Sequence, residues 1–134
     1  MVDQKFIETE LQRIHGIKSM RLTFQAIHQS KEFDPETHIL KVRGKEIGFV
    51  YYRAGYQQEH YTCEEEWEAR EILELSQAIK CPSIDYHLTT FKKFQQSFCQ
   101  EETLKDVLGD QYSSNLDTLK GVFTRMWSLE DYEN

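Results

Sequence analysis

"EIGFVYYRAGY", residues 46–56, is the stretch whose reading decides the fold. From Ile47 to Tyr52 the side chains are apolar on both faces of an extended chain. That pattern predicts a strand covered on both sides in a layered sheet. The run ends not in an ordinary turn but in Arg53, Ala54, Gly55 and Tyr56. In open α/β sheets, ligands sit just beyond the carboxyl ends of strands. A guanidinium is a planar fork matched to carboxylates, a glycine lets backbone N–H groups come close to a ligand, and a phenol adds a hydroxyl. The competing reading is an arginine in a surface ion pair beside a glycine turn.

Upstream, "HILKV" and the Arg43–Gly44 turn make this stretch the second arm of a hairpin. Residues 3–15 carry Phe6, Ile7, Leu11 and Ile14 near one face at helical spacing, with Asp3 as a cap and Gly16 as the stop. "IKSMRLTF", residues 17–24, alternates as a strand does. "TFQAIHQS" is a short helical piece, and "SKEFDPET" a polar loop. Downstream, residues 62–80 form the clearest helix, with Thr62 and Glu65 at capping-box spacing and Trp67, Ala69, Ile72, Leu73 and Ile79 available to the core. After Pro82, residues 89–100, 102–109 and 116–127 predict three shorter helices. Strand–helix alternation over the first 80 residues predicts an α/β layered domain with a helical C-terminal third.

A chain of 134 residues is about one domain long. Its net charge of −7 does not suit phosphate-backbone binding, so no nucleic-acid partner is expected. No apolar window approaches the roughly 20 residues of a membrane span, and the start lacks a secretion signal. A soluble, cytoplasmic protein without a membrane partner is expected. Cys63, Cys81 and Cys99 have no C-x-x-C spacing and suit reduced thiols. The carboxylates of Glu64–Glu66 fan around a helix axis rather than converging, and the five histidines show no ligand spacing, so no metal centre is indicated. Nor is there a G-x-S-x-G, Walker or dinucleotide motif. Gln4 lies where the start of the first helix can receive an anion, or is simply solvated. Lys92 and Lys93 point about 100° apart, so one at most serves a given site.

"VYYRAGY", "EEWEAREILELSQAIKCPSI" and "LTTFKKFQQ", in this order and spacing, resemble the substrate-binding domain of eukaryotic-type glutathione synthetase. The likeness reaches back through "DQKFIETEL" and forward to "MWSL", nearly the whole chain. It implies a three-layer α/β/α domain with a mostly parallel sheet, residues 1–134 being one domain cut from a longer enzyme. That enzyme is a homodimer that uses ATP and Mg²⁺ to join γ-glutamylcysteine to glycine through an acyl phosphate, giving glutathione. Carried over by position, Arg53, Ala54, Gly55 and Tyr56 match the family's Arg-Asp-Gly-Tyr segment, which contacts the γ-glutamylcysteine or glutathione. Ala54 stands where aspartate is usual, which leaves only main-chain contact there. Gln4 matches a further substrate contact and Lys92 a lysine that contacts ATP. The family's metal-binding carboxylates, glycine-rich lid and most of its nucleotide pocket fall outside the matching stretch. No catalytic residue and no ligand-metal set is therefore expected here, and the chain alone is expected to be inactive. The alternatives are a stand-alone thiol-peptide binding module and an oligomerisation domain.

Overall fold

The computed structural model describes residues 2–109 and 114–127, a mixed α/β arrangement with seven α-helices and two small sheets among them. Ser128 and Leu129, the end of the last matching stretch, lie outside the described residues. Two compact units are present: residues 1–50 with 57–78, and residues 51–56 with 79–134.

In the first unit, α1 spans Val2–His15 and stops at Gly16, whose φ of +65° suits a residue without a Cβ. Asp3 lies within the first turn rather than ahead of it. The expected apolar face is not buried: Phe6 and Ile14 are exposed and Leu11 is half-buried. Residues 17–23 do not form the strand that their alternation predicts. Alternation marks an extended chain with one face to bury, but a strand also needs a neighbour's backbone, and no described strand pairs with this segment. Instead the Arg21 guanidinium holds the Glu8 carboxylate at 2.7 Å, tying the segment to α1. Helix α2, Phe24–Ser30, follows, with the Thr23 hydroxyl accepting the Ala26 N–H.

The expected polar loop begins with a strand, β1 (Lys31–Phe33), before Asp34 accepts the N–H of Glu36 to make the turn. Strands β2 (Leu40–Val42) and β3 (Lys45–Glu46) complete an antiparallel sheet in the order β1-β2-β3. The hairpin turn forms at Arg43 and Gly44, both at positive φ (53° and 69°), as a two-residue turn of right-handed strands requires. Its second arm is Lys45–Glu46 and not the expected residues 46–52, because Phe49–Tyr51 pairs in a separate sheet. The expectation of a mostly parallel sheet does not describe this one.

Helix α3 runs Glu64–Leu75, shorter than expected, because residues 79–81 extend into β5 (Ile79–Cys81). Its start is closed by Glu66 rather than Glu65: the Glu66 carboxylate accepts the Thr62 N–H at 2.6 Å and the Thr62 hydroxyl at 3.1 Å. Ala69 and Leu73 are buried as the helical spacing predicts, whereas Trp67 and Ile79 are exposed. Phe24, Leu40, Val42 and Ala78 complete the buried apolar set of this unit. Arg70, a charge within that buried face, is held by Glu74 at 2.9 Å and by the Tyr61 hydroxyl at 3.2 Å. Tyr61 stacks on both Trp67 (3.8 Å) and Phe24 (5.3 Å).

Strand β4 (Phe49–Tyr51) belongs with β5 in a two-stranded sheet. The reading of residues 47–52 as covered on both faces is corrected here. Tyr52 is buried, but Phe49 and Tyr51 are 56% and 44% exposed, because a two-stranded ribbon offers no second layer to cover them. In the second unit the Tyr52 N–H reaches the Cys81 carbonyl at 2.9 Å. The C-terminal third is helical: α4 (Ile84–Leu88), α5 (Lys92–Phe98), α6 (Glu101–Leu108) and α7 (Leu116–Val122). The first of these was not expected. Its signal is Ser83, whose hydroxyl accepts the Tyr86 N–H just after Pro82.

Candidate functional site

Arg53 to Tyr56 leave β4 as an irregular segment of the second unit. Gly55 is buried at φ +84°, a backbone that disfavours any residue with a Cβ. Arg53 is exposed, with a guanidinium nitrogen 3.1 Å from the Tyr51 hydroxyl and its central carbon 5.6 Å from the Tyr51 ring centre. That contact settles the cation against an aromatic face. The Tyr56 hydroxyl donates to the Tyr52 carbonyl at 2.5 Å, which closes the segment back on the strand end. Ala54 is exposed and brings no polar side chain.

Lys92 opens α5 in the same unit, and its ammonium donates to the Gln95 side-chain carbonyl at 2.9 Å. Gln4 sits half-buried on α1 of the first unit. The structure therefore places Arg53, Ala54, Gly55, Tyr56 and Lys92 in one unit and Gln4 in the other. His87, which sequence reasoning had set aside as a histidine without ligand spacing, touches the segment directly. Its Nε2 lies 3.3 Å from the Tyr56 carbonyl oxygen, and its ring meets the Tyr56 ring edge-on at 5.3 Å. Nothing in the sequence spacing announces this contact, since the two residues are 31 positions apart.

A cavity of about 260 Å³ elsewhere in the second unit is lined by Gln96, Cys99, Gln100, Arg125, Met126 and Trp127, none of them an expected site residue. Cys63, Cys81 and Cys99 are unbridged. The Glu65 side chain, burial and the neighbouring carboxylates hold the Cys63 thiol above its usual range, which keeps it protonated. Among the described residues no three His, Cys, Asp or Glu side chains gather to hold a metal ion. No described helix is long and apolar enough to cross a membrane.

The strand end thus carries a buried glycine at positive φ and an exposed arginine, and known proteins of similar sequence show which family such a chain comes from. Residues 1–89 match the model of eukaryotic glutathione synthase. The chain belongs to that family. It is 42% identical over 130 residues to glutathione synthetase of Dictyostelium discoideum, covering 95% of this chain and 27% of that one. To the human glutathione synthetase it is 37% identical over 128 residues, 96% of this chain and 26% of the relative. To the chloroplastic glutathione synthetase of Arabidopsis thaliana it is 35% identical over 133 residues, 99% and 24% of the two chains. The chain spans about a quarter of the length of these curated relatives.

Proposed function

We propose that this glutathione synthase family chain is the substrate-binding part of a longer ATP-dependent ligase that joins γ-glutamylcysteine to glycine, forming glutathione. The observation that carries the reading is the Arg53–Tyr56 segment. It is an arginine fork at the surface, poised on Tyr51, followed by a glycine at φ +84°, at the end of a strand in a chain of this family. Arg53 takes a carboxylate of the peptide by paired charge-assisted hydrogen bonds. Ala54 and Gly55 contribute main-chain groups and Tyr56 packs on the ligand; Gln4, in the first unit, is proposed as a substrate contact from the resemblance alone. Lys92 holds a phosphate oxygen of ATP as a point charge, exchanging its Gln95 partner for it.

ATP would supply the phosphoryl group that turns the peptide carboxylate into an acyl phosphate with release of ADP, and the glycine amine would then attack the acyl carbon, forming the amide and expelling inorganic phosphate. This chain's residues bind and orient the peptide for that step. Among the described residues no three His, Cys, Asp or Glu side chains gather around one point, and the proposal places the magnesium with the remainder of the complete protein. The three-layer α/β/α arrangement with a mostly parallel sheet, the single domain over residues 1–134, the homodimer and a cytoplasmic location belong to the same proposal for the complete protein. The name of the Arabidopsis thaliana relative places that protein in the chloroplast.

The test is glutathione formation from γ-glutamylcysteine, glycine and ATP, followed by chromatography. The complete protein is expected to give glutathione that depends on all three substrates, and the isolated chain none. Product from the chain alone, or none from the complete protein, would refute the proposal.

A further inference from the structure

We infer that His87 is a positioning residue that sets the peptide-binding segment by fixing Tyr56; the inference rests on the peptide-site reading above. The imidazole is 7% exposed, and a polar ring so buried needs a hydrogen-bond partner. Its position is built by α4: the His87 N–H bonds the Ser83 carbonyl at 2.9 Å and the Thr90 hydroxyl donates to the His87 carbonyl at 2.7 Å. From there the ring N–H reaches the Tyr56 carbonyl (3.3 Å), and the ring packs at 89° against the Tyr56 ring. Its other side meets Phe91 at 5.4 Å, the residue immediately before Lys92 and the cap of α5.

Tyr56 is thus fixed at both ends, its hydroxyl on the Tyr52 carbonyl and its own carbonyl on His87. Residues 53–56 carry no strand or helix ladder of their own. With Tyr56 anchored, the Arg53–Gly55 backbone has less freedom to lose when a peptide binds, and that preorganisation appears as affinity. A ring that only filled space would be replaced by phenylalanine without consequence. A ring that holds the carbonyl would instead be replaced by glutamine, whose amide N–H can occupy the place of Nε2.

The experiment compares His87→Phe, His87→Gln and Arg53→Ala in the complete protein by steady-state kinetics, with melting temperature as the control for folding. His87→Phe is expected to raise the KM for γ-glutamylcysteine about fivefold, the weight of one lost hydrogen bond, with kcat and the KM for ATP within about twofold. His87→Gln is expected to stay within about twofold of the original KM. If His87→Phe keeps the original KM while Arg53→Ala raises it, the inference fails and the peptide site stands. If neither variant moves that KM, the site reading fails with it. If both His87 variants lower the melting temperature and depress every kinetic constant alike, His87 is a packing residue and the inference is overturned.

Discussion

At Gly55 the chain turns through φ +84°, and the whole candidate site depends on that turn. A Cβ there meets the backbone strain that any L side chain carries in this region, about 1–2 kcal/mol. Gly55→Ala is therefore expected to lower stability by that amount in denaturant unfolding and to displace the Tyr56 amide resonance. An unchanged midpoint and spectrum would show that the turn does not constrain the segment. The sequence singles out the four residues of the segment as the Arg-Ala-Gly-Tyr end of an apolar run, and the structure places them just after β4. Their supports were not legible there. Tyr51 under Arg53 and His87 behind Tyr56 are contacts of folded backbone, and neither spacing nor composition encodes them. The exposure of Arg53 also bears on magnitude. A charge-assisted hydrogen bond is worth about 1.5–3 kcal/mol, and solvent exposure sets Arg53 at the lower end of that range.

Among the elements, those read from capping and helical spacing were located well, and those that need a partner strand were not. Helices α1 and α3 and the turn between β2 and β3 carry their own signals: the Gly16 stop, the acidic start of α3 and the Arg43–Gly44 pair. Residues 17–23 and the burial of β4 depend on neighbours that alternation alone does not identify. The α6–α7 pair shows a contact of another kind. Glu101 lies 2.6 Å from Lys105 and also pairs with Lys120 of α7, and the two ammonium groups hold its pKa down at about 2, from an ordinary 4.5. A carboxylate whose pKa is lowered by folding stabilises the fold above its unfolded value, and that contribution is lost as the pH falls toward the folded value. Amide protection in α6 and α7 is accordingly expected to decline between pH about 4.5 and 2, and Glu101→Gln to abolish that dependence. Because these groups are exposed, added salt is expected to weaken the effect. Protection that falls equally in the variant would assign the acid response to other carboxylates.

The molecule as a whole belongs to the glutathione synthase family and spans about a quarter of its relatives' length. Phosphoryl transfer needs metal and several preorganised charges around the transferred group. Under the proposed function this chain would supply peptide recognition, and the remainder of the complete protein the chemistry. The central claim is that Arg53 holds a carboxylate of γ-glutamylcysteine. Isothermal titration of the complete protein with γ-glutamylcysteine, in the original and the Arg53→Ala forms, tests it most directly. The account predicts a Kd raised by tenfold or more in the variant, matching about 1.5–3 kcal/mol, with ATP binding unchanged. The same Kd for both proteins would contradict it.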